Sequence, residues 1–335
     1  MKNLNMHLIY INDFPSSSNI RNHFIKISVE KEDLFSTSLE KLQNVKYGVS
    51  INGGYFVVGG NINNELTPGL QEKHLRPIGF FFSILAPQYN GTVLPIPKPY
   101  KKDFATVYIN KEGRLRFMKS IDFLKLHNTE ESTFLVEKSN GEIVADKQDV
   151  IKMVYDKSAK MMVPVTKDDT FRYVSAFESG PILIWDGKII FTKDKMLEEE
   201  FQYVDYDSTR NKNVYTNYKL FKGAKNYKIW FNEPGESEFM YGARHSNSLM
   251  IHNVLCRTNN DETLIILVEG RGFDAVGIDR VQLSELINHF NVKHAVSLDG
   301  GFSGNAVFRF NNRSYWLMND PDKRTVATSI HFGSN

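Results

Sequence analysis

The first fifty residues alternate apolar and polar positions in a way that predicts strands followed by a short helix. Residues 23–31 place three β-branched side chains on one face and polar or charged ones on the other, which is typical of a half-buried strand. Apolar runs at 8–11 and 47–51 predict two more strands, and the second ends in Asn-Gly-Gly at positions 52–54. Residues 38–44 are long enough for about two helical turns.

The C-terminal third carries the pattern of a strand, a helix and a second strand. Residues 263–268 form a continuous apolar run suited to a strand buried on both faces. Asp279 and Gln282 make a capping-box pair that predicts the start of a helix, and residues 294–298 predict the next buried strand. Such a unit predicts parallel strands joined by a right-handed crossover. The carboxyl ends of both strands should therefore lie at the same edge of the sheet.

Between these parts the character of the chain changes. Several prolines interrupt residues 86–171, and hairpin-like pairs such as 105–109 with 114–118 occur there, so we interpret this stretch as an inserted β-rich lobe. Asp186-Gly187 lies between two short apolar runs, which predicts a two-residue hairpin. Residues 196–204 predict a short helix, and the polar stretch at 205–241 predicts a surface excursion rather than regular structure.

Together these elements predict an α+β or mixed α/β fold. A length of 335 residues fits one large domain over residues 1–335 with an insertion at about 86–171. We expect a central mixed β-sheet with flanking helices, and the inserted lobe beside it.

Charge and cysteine content exclude several classes of protein. Lys and Arg number 41 against 39 Asp and Glu, a net charge of +2, which argues against general coating of nucleic acid. The single cysteine, Cys256, excludes internal disulfides and any cysteine-built metal site, and we interpret it as a small core residue. The chain shows neither a signal-peptide pattern nor an apolar stretch long enough for a membrane span. The sequence leaves the oligomeric state open.

Charged residues follow the two predicted parallel strands of the C-terminal third. Glu269-Gly270-Arg271 comes after the first strand, and Asp299-Gly300-Gly301 comes after the second. Because this edge of a sheet is where open α/β folds usually bind ligands, the two carboxylates and the guanidinium are candidates for a site. The open alternative is a Glu–Arg surface pair and an aspartate in an ordinary turn.

Three other polar sequences are candidates for ligand contacts. Asn52 could orient a ligand or belong to a glycine-rich turn, and Glu178-Ser179-Gly180-Pro181 could form a site loop or merely lead into the hairpin. Arg244 could clamp a phosphate with two hydrogen bonds or be solvated. His245 and His252 match no zinc-ligand spacing. The P-loop, H-E-x-x-H and G-x-S-x-G motifs are absent from the sequence.

Five of these sequences, taken in order, resemble the consecutive signatures of the phosphodiester glycosidase family. That family includes the lysosomal N-acetylglucosamine-1-phosphodiester α-N-acetylglucosaminidase as well as bacterial and phage proteins. The resemblance covers roughly residues 45–85 and 172–332, and it rests on Asn52-Gly53-Gly54-Tyr55-Phe56, Ser179-Gly180-Pro181, Arg244, Glu269-Gly270-Arg271 and Leu298-Asp299-Gly300-Gly301-Phe302-Ser303. The family usually has Asp-Gly-Arg where Glu269-Gly270-Arg271 stands.

The resemblance implies a catalytic domain that hydrolyses a sugar-1-phosphodiester at the glycosidic C–O bond next to phosphate. It implies that Arg244 and Arg271 clamp the phosphate and that Glu269 or Asp299 activates water or attacks the anomeric carbon. The substrate-binding residues that it implies are Asn52, Gly53, Gly54, Ser179, Gly180, His245, Gly300, Gly301 and Ser303.

The same resemblance sets expectations for partners and location. It implies a sugar-phosphate or glycan as substrate, and it implies no certain cofactor, although some relatives bind a divalent cation such as calcium. The sequence favours a cytoplasmic or virion-associated protein. Two alternatives stay open: a metal-dependent phosphodiesterase that cuts P–O instead of C–O, and a non-catalytic glycan-binding or virion-associated structural protein.

Overall fold

The structure is a computed structural model of the chain. It describes residues 4–11, 22–29, 35–36, 47–57, 76–84, 87, 90–92, 95–96, 101–137, 143–192, 200–207, 212–219, 251–270, 277–300, 304, 306–310, 313–316, 326 and 328–334.

The strands are numbered here in chain order. The first twelve are β1 (Leu4–Ile11), β2 (Asn22–Val29), β3 (Phe35–Ser36), β4 (Tyr47–Asn52), β5 (Phe56–Val57), β6 (Arg76–Pro77), β7 (Phe80–Ser83), β8 (Gly91–Thr92), β9 (Ala105–Asn110), β10 (Leu115–Lys119), β11 (Thr129–Glu137) and β12 (Ile143–Ile151). The others are β13 (Met153–Asp156), β14 (Met161–Pro164), β15 (Tyr173–Ser179), β16 (Ile182–Trp185), β17 (Lys188–Ile189), β18 (Glu200–Asp207), β19 (Lys212–Lys219), β20 (His252–Thr258), β21 (Thr263–Val268), β22 (Val292–Ser297), β23 (Ala306–Phe310), β24 (Arg313–Trp316) and β25 (Ser329–Ser334). Within the described ranges the helices are α1 (Ser120–Lys125), α2 (Arg280–Asn288) and a 3₁₀ turn at Lys101–Asp103.

Three larger sheets organise the described part of the chain. A seven-stranded sheet has the order β1-β2-β21-β20-β22-β16-β17, and two five-stranded sheets have the orders β10-β9-β15-β7-β8 and β24-β23-β4-β25-β3. All strand pairs in the described ranges are antiparallel. The predicted mixed sheet with flanking helices is therefore corrected to antiparallel sheets with few helices, of which α2 packs on the seven-stranded sheet.

The strand–helix–strand unit of the C-terminal third is present, with one difference. Strands β21 and β22 each pair antiparallel with β20, which lies between them. They therefore run parallel to each other, as predicted, without being neighbours. The reason is local: β20 and β21 first form a hairpin, so the chain has to pass over β20 through α2 before it adds β22.

The apolar runs of the central strands are explained by burial on both faces of the seven-stranded sheet. On one face, Leu255, Ile265 and Leu267 join a core shared with residues of the two five-stranded sheets. On the other face, the alternate residues of the same strands pack against Leu283 and Ile287 of α2. A strand covered on both faces reads as a continuous apolar run, because neither side of it meets water.

The start of α2 confirms the predicted capping box. The Asp279 carboxylate accepts a hydrogen bond from the Gln282 backbone N–H at 2.8 Å, and the Gln282 side chain accepts one from the Asp279 N–H at 3.1 Å. These two bonds satisfy donors that a helix start otherwise leaves unpaired.

Both predicted hairpins are confirmed. Asp186 and Gly187 have φ values of 50° and 73° between β16 and β17, which is the left-handed conformation that a two-residue hairpin of this kind requires. Strands β9 and β10 pair with Leu115 opposite Ile109.

Residues 200–219 correct two predictions. Strand β18 occupies the second half of the predicted helix at 196–204, and β19 pairs with β18 within the stretch expected to lack regular structure. Alternating aromatic and polar residues, such as Phe201, Gln202 and Tyr203, suit a strand better than a helix or a loop. The predicted helix at 38–44 lies outside the described residues.

The predicted insertion at 86–171 stays a prediction. Within it, β9 and β10 join the sheet that contains β7 and β15, whereas β11 to β14 form two separate hairpins.

His331 gives the fold an acid-sensitive position. It lies in β25 opposite Ser50 of β4, is 8% exposed, and its Nδ1 is buried without a hydrogen-bond partner among the described residues. Burial lowers the pKa of this imidazole from 6.5 to about 4. Between pH 6.5 and about 4 the unfolded chain binds a proton at His331 that the folded chain excludes. The contribution of His331 to the free energy of unfolding is therefore complete above about pH 6.5 and is lost as the pH is lowered towards 4.

The corresponding experiment compares the wild type with His331→Gln by chemical unfolding across this window. The wild type is expected to lose about 3 kcal/mol of unfolding free energy through His331, and the variant, which cannot titrate there, should lose correspondingly less. Equal losses in both proteins would show that His331 is not the acid-sensitive group.

Candidate functional site

Two acidic residues follow the ends of strands at one edge of the seven-stranded sheet. Glu269 follows the last residue of β21, and Asp299 lies two residues beyond the end of β22. Because both strands are antiparallel to β20, their carboxyl ends point the same way, and the prediction of a shared edge is confirmed. With one strand between them, the two backbones are about 10 Å apart. Both residues are partly exposed, so two acidic residues lie at one edge of the sheet with one strand between them.

Asn52 connects the end of β4 to the Asp299 segment. Its side-chain Nδ2 donates to the Asp299 carbonyl oxygen, and its Oδ1 accepts from Asn253 Nδ2 of β20. The Asp299 N–H in turn donates to the Gly53 carbonyl at 3.1 Å. The main chain of Asp299 is thus held from both sides, and the side chain of Asn52, which is buried, contacts protein at this position.

The motif glycines allow segments of this site to approach one another closely. A Cβ atom on Gly300 would lie 2.6 Å from the Ile251 carbonyl oxygen, and one on Gly54 would lie 2.6 Å from the Glu178 carbonyl oxygen. Both obstacles are backbone atoms that cannot move aside cheaply. The glycines are therefore required for contact between strands, in addition to any role with a ligand.

The segment after β15 reaches the same edge. The Ser179 hydroxyl donates to the Ser297 carbonyl at 2.8 Å, and the Ser297 N–H donates to the Pro181 carbonyl at 3.1 Å. Ser179 is completely buried. It fixes the end of β22, two residues before Asp299.

A buried ion pair lies beneath this segment. The Glu178 carboxylate accepts a hydrogen bond from the Phe80 backbone N–H at 2.7 Å and lies 3.9 Å from Lys101 Nζ. Both charged side chains are almost fully buried. The pair anchors β15 next to Gly54 and satisfies the charge of each partner.

Helix α2 contributes a further basic group. Arg280, its first residue, donates from Nη2 to the Tyr55 hydroxyl at 2.6 Å. Just before the helix, the Ile278 carbonyl accepts a hydrogen bond from His252 Nε2 at 2.6 Å. The start of α2 is thereby fixed to β20 and to the segment after Asn52.

Five of the predicted site residues lie outside the described part of the chain: Arg244, His245, Arg271, Gly301 and Ser303. Of the other predicted residues, Asn52 and Gly53 bond to the Asp299 main chain and Ser179 bonds to Ser297. Gly54, Gly180 and Gly300 each approach a neighbouring segment closely, and Glu269 follows β21, which is separated from β22 by β20.

Sequence reasoning missed three residues of this arrangement. Asn253 is a polar residue inside the otherwise apolar strand β20, and that contrast was the available signal. Arg280 stands in the first turn of a helix, where a cation is unfavourable, and this too could have been noticed. Lys101 follows a proline-rich stretch and carried no signal.

Metal binding, the single thiol and membrane-spanning helices can each be judged within the described ranges. No group of three or more His, Cys, Asp or Glu side chains there is arranged to hold a metal ion, so we derive no step through calcium or another cation. Cys256 is fully buried in the core, as predicted, and burial raises the pKa of its thiol. None of the helices in the described ranges has the length and hydropathy needed to cross a bilayer.

Comparisons with known proteins identify the family of the chain. The sequence model of the phosphodiester glycosidase family matches residues 122–332 of the chain. The uncharacterized protein 209R of Invertebrate iridescent virus 6 is 35% identical over 317 residues, which make up 85% of this chain and 30% of the viral protein. The chain thus spans less than a third of the length of that relative.

Two solved structures resemble the chain at low sequence identity. A protein of Burkholderia pseudomallei is 11% identical with a TM-score of 0.50, over 94% of this chain and 74% of that one. The zebrafish N-acetylglucosamine-1-phosphodiester α-N-acetylglucosaminidase catalytic domain, auto-inhibited by its pro-peptide, is 12% identical with a TM-score of 0.39, over 99% and 83% of the two chains. The first likeness indicates a shared fold.

Proposed function

The chain belongs to the phosphodiester glycosidase family, and from this membership we propose that it hydrolyses a sugar-1-phosphodiester. The bond broken is the C–O bond between the anomeric carbon and the phosphate oxygen. The products are the free sugar and a phosphomonoester. N-acetylglucosamine is the first sugar to test, because the zebrafish relative is named for it.

The observation that supports this proposal most is the placement of Asp299. Its backbone is held by Asn52 and Gly53, while its side chain stays partly exposed at the edge that Glu269 shares. A main chain fixed on both sides gives the carboxylate that it carries a defined position. Such preorganisation is what a catalytic acid or base requires.

The proposed chemistry needs charge neutralisation more than a strong acid. The leaving group is a phosphate monoester, which departs as an anion, and Arg244 and Arg271 are proposed to neutralise it. Asp299 or Glu269 takes a proton from water as the water oxygen bonds to the anomeric carbon and the phosphate leaves. In the other route the carboxylate itself displaces the phosphate to form a glycosyl intermediate, which water then hydrolyses to the free sugar. In both routes the bridging oxygen stays with phosphate.

The remaining predicted residues are proposed to surround the sugar and the phosphate. Gly300, Gly301 and Ser303 follow Asp299 directly, so their backbone N–H groups are candidates for binding oxygen atoms of the substrate. His245 is proposed as a further substrate contact beside Arg244. We assign Asn52 and Ser179 a positioning role, because their polar atoms are engaged with the Asp299 and Ser297 main chains.

The viral relative supports a proposal about location. Protein 209R belongs to an iridescent virus, so we propose that this chain acts in infected cells or as part of a virus particle. Because it spans 30% of that relative, the activity proposed here concerns the catalytic region alone.

Hydrolysis in ¹⁸O-labelled water tests the proposed bond cleavage. The purified chain is incubated with methyl phosphodiesters of N-acetylglucosamine and of other sugars, and the phosphomonoester product is analysed by mass spectrometry. We expect unlabelled phosphomonoester, since cleavage of C–O leaves the bridging oxygen on phosphorus. The phosphomonoester is analysed instead of the sugar, because the anomeric oxygen of a free sugar exchanges with water and would take up label after the reaction.

Other outcomes of this experiment identify the alternatives. Label in the phosphate would indicate a phosphodiesterase that cuts P–O. Tight binding of a sugar phosphodiester with no turnover across the panel would favour a non-catalytic glycan-binding protein. A reaction run without enzyme is the control for spontaneous hydrolysis.

A further inference from the structure

Arg280 stands out among the buried cations. Three lysine or arginine side chains in the described ranges are buried: Lys101, Arg257 and Arg280, with 4%, 5% and 7% of the residue exposed. Lys101 pairs with Glu178, and Arg257 pairs with Asp261. Arg280 forms no ion pair with a carboxylate of the described residues.

The hydrogen bonds of Arg280 are also incomplete. Of the five N–H donors of its guanidinium, one reaches the Tyr55 hydroxyl. Its Nε is buried and has no hydrogen-bond partner among the described residues. The nearby carboxylate of Asp279 is engaged in capping the helix.

A buried guanidinium of this kind calls for an anion. Guanidinium groups keep their charge in proteins, and an unpaired buried charge is strongly unfavourable. The N-terminus of α2 adds further positive potential at this point, and the first turn of α2 contains no acidic residue. The Asp279 carboxylate offsets the potential of the helix start by capping it, whereas the Arg280 guanidinium forms no ion pair with a carboxylate within the described ranges.

The position of Arg280 links it to the candidate site. Tyr55 lies two residues beyond Gly53, which binds the Asp299 N–H. His252, which bonds to Ile278 just before α2, has its Cα 3.9 Å from the place where a Cβ of Gly300 would stand. The guanidinium is thus linked through Tyr55 to the segment that binds Asp299, and the residue before Asp279 is linked through His252 to Gly300.

We propose that the Arg280 guanidinium and the Tyr55 hydroxyl bind the phosphate group of the substrate, and that this contact selects anionic phosphodiesters over uncharged glycosides. The inference rests on the proposed function for the identity of the substrate. The anion-binding role itself rests on the buried guanidinium, whose Nε has no hydrogen-bond partner among the described residues.

Binding of inorganic phosphate to the full chain tests this role directly by titration calorimetry. Arg280→Gln is expected to weaken phosphate binding about 10- to 100-fold, as loss of a charge-assisted hydrogen-bond pair does. Tyr55→Phe should weaken it less, because it removes a neutral hydroxyl. Arg257→Gln is the matched control, a buried arginine with its own carboxylate partner, and should leave phosphate affinity unchanged.

Thermal unfolding distinguishes an anion-binding arginine from one with a structural role alone, because only the former changes how much phosphate raises the Tm. Phosphate is expected to raise the Tm of the wild type and to raise that of Arg280→Gln much less. Should Arg280→Gln fail to fold, Arg280→Lys and Tyr55→Phe carry the same comparison.

Kinetics separate failure of this inference from failure of the proposed function. In an active chain, Arg280→Gln should raise KM for a sugar-1-phosphodiester by a similar factor. The inference alone is overturned if folded Arg280→Gln turns over substrate with the KM and the phosphate affinity of the wild type. It is also overturned if the wild type is active but binds no phosphate and Arg280→Gln has the same KM. Arg280-dependent phosphate binding without any turnover retains the anion site and rejects the glycosidase.

Discussion

Asp299→Asn is expected to lower kcat for sugar-1-phosphodiester hydrolysis about 10²- to 10⁴-fold, the usual contribution of a positioned acid or base. The hydrogen bonds of Asp299 to Asn52 and Gly53 are made by its backbone and survive the change. KM should change little, since the carboxylate acts mainly in the transition state. Steady-state kinetics together with circular dichroism measure both quantities.

Two companion variants define the result. Glu269→Gln, measured in parallel, shows which carboxylate carries the larger share, and Arg271→Ala should also abolish sugar release if that residue clamps the phosphate. Asp122→Asn removes an exposed aspartate that pairs with Lys125 on α1 and should leave kcat unchanged. Full activity in Asp299→Asn would remove this residue from the catalytic machinery.

Asn52→Asp is expected to reduce both stability and activity. The substituted carboxylate keeps the acceptor that Asn253 uses but loses the donor to the Asp299 carbonyl, and it places a negative charge in a buried position. A buried charge or polar group without its partner costs about 2–5 kcal/mol. A shift of about 1 Å in the Asp299 segment would lower kcat about 100-fold.

Urea unfolding and kinetics at a temperature where the variant remains folded separate these two effects. Asn128→Asp is the matched control, because Asn128 is exposed on the surface, and it should change stability by less than about 0.5 kcal/mol. If folded Asn52→Asp has the kcat of the wild type, Asn52 does not position Asp299.

Local features of the chain were predictable where neighbouring residues decide the geometry. The hairpin at Asp186-Gly187 requires two residues that tolerate positive φ, and the sequence supplies them at adjacent positions. The capping box of Asp279 and Gln282 is likewise complete within four residues. Such elements depend on short-range hydrogen bonds, which a sequence displays directly.

Sheet partners were less predictable, because pairing depends on residues far apart in the chain. The apolar run of β21 indicates a buried strand equally well in a parallel or an antiparallel sheet, and the hairpin with β20 selects the antiparallel one. The helix predicted at 196–204 failed for a related reason. Its second half pairs with β19 as a strand, and tertiary pairing overrides a weak helical pattern.

The sequence by itself determined the family, the strands that end in Asn52 and near Asp299, and the common edge of β21 and β22, because motifs and local periodicity carry that information. Only the tertiary structure decided that the amide of Asn52 holds the Asp299 backbone, 247 positions away, and that Arg280 lies buried beside Tyr55. The physical reason is that burial and hydrogen-bond satisfaction are properties of the packed chain. A residue's type shows what it can bind, and its surroundings show which of its bonds are still open.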